Sequence, residues 1–475
     1  MSPEAPQMNG TPPASRKLDA REKEPALLHR SLAERPLLVS RALGSYLYLD
    51  DGRKILDACG GAAVAIIGHG NKDVIAAVAA QMQQVSYVHT MAYTTTSAEE
   101  LATLLLDPRN CRYDHGLRKV YLVGSGSEAN DAAMKCARQY WYEQGQARRR
   151  FFVSRRQAYH GSTIGSMSIS SNIARKQPYE DVILPSVSFV SPAYSYRYKH
   201  QSESEEEYAG RLVRELEDEF LRLGPENIIS FTAETVVGAT SGCLAAPKGY
   251  FKGVREVCDQ HGILLHLDEV MCGMGRTGTY FAFEQEGIKP DILTLGKGLG
   301  GGYAPIAAML VGEKVVDVLR TSTTSAFNHG HTYQAHPVTC AAALAVQRFV
   351  REQDLVARCQ SRGRKLGSLL RQTFTECKYV GNIRGKGLFW ALEFVSDRSS
   401  KEPFATCLGF GVGVQKAAFE MGLAVYPGIG TADGSRGDHV LLAPPYTMTD
   451  EELEVLVHTL RAAYDREEAR VFGAE

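Results

Sequence analysis

The sequence predicts an α/β protein: a large, mostly parallel sheet domain, plus a smaller α+β domain from the C-terminal region and an N-terminal segment. Three observations carry this. From Leu101 to about residue 336, short apolar runs of strand length alternate with stretches of helical spacing. After Pro337 the alternation gives way to long helices mixed with isolated strands. Two of the apolar runs, Ile263–Leu267 and Ile292–Leu295, lead directly to Asp268 and to Lys297 in a glycine-rich tract. Such residues at strand ends face the ligand crevice of an open sheet. The divisions this predicts are a mobile N-terminal arm over 1–26, an N-terminal segment of the small domain over 27–85, the large domain over 86–336 and the C-terminal small domain over 337–475.

Taken in order, the arm is rich in Pro, Ser, Lys and Glu and poor in apolar residues. Tyr46–Leu49 and Lys54–Asp57 flank an Asp-Gly turn and read as a hairpin. Cys59 to Gly70 is a loop of small residues, followed by a helix over about Lys72–Gln84. Val120–Val123 reads as a strand entering Gly124-Ser125-Gly126-Ser127. Small or apolar residues then recur from Ala129 to Tyr140 at helical spacing. Phe151–Ser154 and Ile228–Glu234 read as further strands. Lys199–Tyr208 is a charged loop or helix start, and Glu217–Leu223 and Val254–His261 read as helices. Ile306–Val311 is a strand, and Pro337 suits the first turn of a helix running to about Arg351. Beyond it, helices at Leu355–Cys377, Gly413–Met421 and Glu451–Glu468 are mixed with strands at Gly387–Val395 and His439–Leu442.

Composition excludes several classes. The 475 residues are 44% hydrophobic and 23% charged with a net charge of −1, so neither nucleic acid nor a membrane is an expected partner. The ten cysteines are scattered with no CxxC pair, which argues against a metal site and for a reducing compartment. No apolar run reaches transmembrane length, and the N-terminus has no hydrophobic segment of the secretory kind. A cytoplasmic location is expected.

Asp268 and Lys297 at neighbouring strand ends offer one ligand a carboxylate and an amine. A lysine crowded by Gly296, Gly298, Gly300, Gly301 and Gly302 can lose its proton and attack a carbonyl. Pyridoxal phosphate needs such a lysine, and an acid on its pyridine nitrogen. By itself the pair would also suit an ordinary ion pair. The Ser125–Ser127 turn at a helix start would cradle a phosphate, or would be a plain helix cap. Tyr159, at a strand end, could stack on the pyridine ring.

The motifs GSGSEAND (124–131), YHGST (159–163), ETVVGATSGC (234–243), LDEVMCGMGRTG (267–278), LTLGKGLGGGYAP (293–305) and HGHTYQAHP (329–337) resemble, together and in order, the class III pyridoxal-phosphate aminotransferases, the ω-transaminase group of fold type I. The resemblance spans nearly the whole chain after about residue 35. It implies Lys297 as the Schiff-base lysine and proton carrier and Asp268 as the pyridine-nitrogen partner. Tyr159 and Val270 would bracket the ring, and Ser125, Gly126 and Ser127 would hold the phosphate. Glu234 and His160 would stand behind these contacts. It implies a homodimer in which Thr332 reaches the phosphate of the neighbouring subunit. It implies transfer of an amino group between an amine or amino acid, of ω-amine or alanine type, and a small oxo acid; an aminomutase, a decarboxylase and a non-catalytic cofactor binder are the competing readings.

The chain also departs from some members of that family. Ornithine- and GABA-type members carry an arginine two residues before a small-Pro-Pro motif; here Leu441 precedes Ala443-Pro444-Pro445. Leucine cannot grip the carboxylate of glutamate, which points to pyruvate or another small acceptor. Arg436, offset by about two residues from a mobile-arginine pattern, and Arg384 are the candidate carboxylate binders. Gly60–Ala63 lacks a tryptophan that many amine-type members carry, leaving room in the pocket.

Overall fold

The computed structural model describes residues 16–17 and 26–473. Apart from Arg16, Lys17 and Ala26, the predicted arm over 1–26 lies outside the described residues; Arg16–Lys17 pairs antiparallel with Glu34–Arg35.

Seven strands form the central sheet: β1 (Leu117–Val123), β2 (Phe151–Arg155), β3 (Val187–Val190), β4 (Ile228–Glu234), β5 (Leu264–Asp268), β6 (Ile292–Leu295) and β7 (Ala307–Gly312), in the order β1-β7-β6-β5-β4-β2-β3. All neighbours pair in parallel except β7, which runs against both β6 and β1. The inner strands are apolar on both faces because helices cover both; every residue of β4, β5 and β6 is buried. Register sets the site. Asp268 lies opposite Glu234 on one side and Thr294 on the other, so three polar side chains share one sheet edge.

Helix α1 (Gly126–Glu143) follows β1 directly. Its buried face carries Ala129, Ala132, Ala133, Cys136, Ala137 and Tyr140, the periodic set seen in the sequence. Nine cysteines are buried free thiols and Cys407 is exposed.

Two smaller sheets flank this body. Val39–Leu43, Tyr46–Leu49 and Lys54–Asp57 form an antiparallel unit, to which Leu423–Ala424 from the far end of the chain adds a parallel strand. Val380–Lys386, Phe389–Phe394, Asp438–Leu442 and Tyr426–Ile429 form an antiparallel sheet. The run read as a single strand from Gly387 is the second arm of a hairpin. Its first arm, Val380–Lys386, contains two glycines and no alternation, so it carries no strand signal. Gly387 turns that hairpin at φ +56°, and a Cβ there would lie 2.5 Å from the Arg276 carbonyl. The charged stretch before Tyr208 caps a helix, Glu205–Leu223, through a Ser204–Glu207 capping box. The last helix, Asp450–Phe472, opens with the capping box read at Thr449. Among the described residues no helix is long and apolar enough to cross a membrane, and no cluster of side chains could hold a metal ion.

Candidate active site

At the carboxyl edge of β1, β4, β5 and β6 lies a cavity of about 440 Å³. It is lined by most of the residues the sequence nominated: Ser125, Gly126, Ser127, Tyr159, His160, Glu234, Asp268, Val270 and Lys297. Its size suits a small cofactor with part of a substrate.

Asp268 is almost fully enclosed and fully engaged. Its Oδ2 accepts from Asn130 Nδ2 at 2.9 Å and lies 2.8 Å from His160 Nδ1, and its Oδ1 accepts from the Val270 N–H at 3.0 Å. Burial pushes the carboxyl up, but the hydrogen bond and charge of His160 prevail and hold it below the usual range. Behind it, Asn130 Oδ1 accepts from Thr294 Oγ1 at 2.7 Å, and Thr294 Oγ1 is 3.2 Å from His266 Nε2. Burial brings His266 down to about 3, so it stays neutral. His160 is fixed on its other side by Ser154 Oγ, 3.3 Å from Nε2. The sequence reading did not single out Asn130, Thr294 or His266. Asn130 sits within the quoted GSGSEAND motif one helical turn past Gly126, which was the available signal.

Lys297 is treated differently. Its backbone lies in the left-handed region at φ +45°, and its amine has no hydrogen-bond partner among the described residues. Burial lowers its pKa, against the charges of Glu234 and Asp268. Glu234 accepts from the Tyr159 and Gly238 N–H groups at 3.2 and 2.8 Å, and burial raises its carboxyl.

The start of α1 forms an anion cradle on the cavity wall. Ser125 Oγ accepts from the Glu128 N–H, while Glu128 Oε2 takes the N–H groups of Gly124 and Ser125. The N–H groups of Gly126 and Ser127, in the first turn, have no acceptor within the helix and sit on the cavity wall. A Cβ on Gly126 would lie 2.8 Å from Val270 Cγ1, so glycine lets the cradle close on the valine. An anion cradle, a fixed acid and a buried amine in one cavity are the donor set that pyridoxal phosphate requires.

The family model described as aminotransferase class-III matches residues 29–464. The chain belongs to the class III aminotransferases. An uncharacterized aminotransferase of Schizosaccharomyces pombe is 48% identical over 93% of this chain and 95% of its own length. The vanillin aminotransferase of Capsicum frutescens is 34% identical over 92% of this chain and 93% of its own. The ω-transaminase of Pseudomonas jessenii in complex with PMP superposes with a TM-score of 0.86 at 33% identity, over 93% of this chain and 94% of that one. An amine transaminase from an uncultivated Pseudomonas species, solved in its PLP-bound form, gives 0.86 at 31%, over 95% and 100%. Like these, this aminotransferase has the fold type I architecture, and the family with its PLP-bound neighbours implies pyridoxal phosphate.

Three nominated residues of the aminotransferase lie away from the cavity lining. Thr332 is exposed, its carbonyl accepts from Tyr87 OH at 2.9 Å, and it lines a neighbouring hollow with Gly124, Pro305 and Tyr333. Arg384 is held by Glu393, Asn382 and the carbonyls of Ser241 and Gly242. Arg436 is exposed and pairs with Asp433 and Glu402.

Proposed function

We propose that this class III aminotransferase moves an amino group from an amine or amino-acid donor, of ω-amine or alanine type, to a small oxo acid such as pyruvate, with pyridoxal phosphate at the Lys297–Asp268 cavity. The observation that carries the reading is the pairing of opposites at adjacent strand ends in one cavity: an acid with both oxygens hydrogen-bonded, and an amine with no partner among the described residues. Bound there, pyridoxal phosphate supplies an electron sink for the substrate's Cα. The residues of the chain do the rest. The Gly126 and Ser127 N–H groups would bind the phosphate. Tyr159 and Val270 would bracket the ring, and Asp268 would keep the positive charge on the pyridine nitrogen. His160 and Asn130 hold Asp268 in place. Lys297 would hold the cofactor through its aldehyde, and its amine, with a lowered pKa, would take up and return the substrate's Cα proton.

The acceptor follows from Leu441. It lies in a buried apolar cluster with Ala63, Met271 and Phe389, and Met271 also lines the cavity. A leucine offers no charge to a second carboxylate, which favours pyruvate over 2-oxoglutarate. We further propose a homodimer, with residues 86–336 carrying the cofactor and 27–85 together with 337–475 forming the smaller domain. Exposed Tyr333, which lines the Thr332 hollow, and Tyr87, whose hydroxyl reaches the Thr332 carbonyl, support a second copy seated there.

Borohydride reduction of the holoenzyme followed by peptide mapping tests the site: the label belongs on Lys297, and a label on any other lysine overturns the assignment. Lys297→Ala should abolish the labelling and slow single-turnover transamination of alanine by at least about 10²–10⁴-fold.

A further inference from the structure

The two arginines that the sequence marks for a substrate carboxylate are already committed, Arg384 to Glu393 and Arg436 to Asp433 and Glu402. A third guanidinium is not. Arg175 lies in the short helix Ile173–Lys176, and its side chain is exposed and makes no ion pair or hydrogen bond with a described residue. Its backbone is fixed, the N–H donating to Asn172 Oδ1 at 3.3 Å. The next residue is fixed as well, Lys176 Nζ donating to the carbonyls of Ser168 and Ser170 at 3.0 and 2.9 Å. The guanidinium itself rests on an aromatic ring, with Cζ 5.0 Å from the centroid of Tyr159.

Tyr159 lines the cavity, so this cation stands one side chain from the substrate space. Its field reaches inside: Arg175 is among the charges that disfavour protonation of Lys297. A ring contact is a weak hold for an exposed cation and leaves the planar fork of donors open. Two parallel N–H groups on that fork match a carboxylate.

We propose that Arg175 binds the carboxylate of amino-acid donors and oxo-acid acceptors at the mouth of the cavity, with Tyr159 as the platform that keeps it there. This rests on the aminotransferase reading of the site and names its substrate class. Amines without a carboxylate gain nothing from the residue, so it separates the two donor classes.

The test compares Arg175→Ala and Arg175→Lys holoenzymes with the wild type in the donor half-reaction, followed by the change in cofactor absorbance. The donors are L-alanine and isopropylamine, of similar size but differing in the carboxylate. Binding of propionate, which cannot react, is measured by calorimetry. Arg175→Ala should lose about tenfold to a hundredfold in kcat/KM for alanine, mostly through KM, and weaken propionate by a similar factor, while isopropylamine changes by less than about twofold. Arg175→Lys, which keeps the charge and loses the fork, should fall between. Equal changes for both donors, or no change for alanine and propionate, overturn the proposal. A wild-type holoenzyme that reacts with neither donor would strike the reading of the site instead, and propionate binding would still decide Arg175.

Discussion

Asp268 and Lys297 cap adjacent strands, yet their surroundings are opposites. Both oxygens of Asp268 are occupied, by Asn130, His160 and the Val270 amide, and the partners of that carboxylate are themselves tied to Thr294, Ser154 and Ser170. Lys297 has a strained backbone and an amine with no hydrogen-bond partner among the described residues. On the proposed function, the contrast separates a charge that would stay still from a group that would travel. A fixed acid needs a fully satisfied network, since an unpaired buried polar atom is costly. A proton carrier needs the reverse, because each hydrogen bond to its amine would have to be broken at every transfer.

After the loss of Lys297, removing the fixed charge should cost most. Asp268→Asn keeps the shape and loses the anion, and kcat in the alanine half-reaction should fall by about 10²–10³-fold. Because the folded-state pKa of Asp268 is lowered, its contribution to stability is present at neutral pH and is lost as pH falls through that lowered value. The difference in melting temperature between wild type and Asp268→Asn should therefore narrow only at strongly acidic pH. Cutting one step further back sharpens the contrast: Asn130→Ala leaves Asp268 and Thr294 each short of a partner, and a loss of about 1–3 kcal/mol should appear in chemical denaturation together with slower turnover.

The neighbouring Glu269 gives a third measure. It is fully buried, accepts from Thr235 Oγ1 and the Ala282 and Phe283 N–H groups, and burial pushes it up to about 7. A raised folded-state pKa gives stability that is complete below the unfolded value and lost as pH rises through about 7. Melting temperature should accordingly fall on going from mildly acid to alkaline buffer, and Glu269→Gln should flatten that slope. The smallest effect belongs to Arg436→Ala, whose exposed ion pairs should leave both melting temperature and alanine kinetics unchanged.

Much of this was legible in the residues. β4 and β6 and the helix Lys72–Gln84 have the predicted bounds, because a short apolar run closed by polar or glycine residues marks a buried strand and helical spacing marks the helix. Val39–Leu43 was not legible: it is an exposed edge strand with no alternation of burial. The direction of β7 was also hidden, since an antiparallel buried strand is as apolar as a parallel one. In the site, Lys297 and Asp268 announced themselves by chemistry at strand ends. The commitment of Arg384 to Glu393 did not, because Glu393 reaches it across the hairpin of the strand the sequence left unread.

The reversed course of β7 carries one more consequence. The tract bearing Lys297 leaves the sheet from β6 and re-enters it one strand over, so it is a staple driven into a single board at both ends. That ladder is made of backbone bonds alone, so shedding the proposed prosthetic group would break no rung of it and the empty seat should keep its shape.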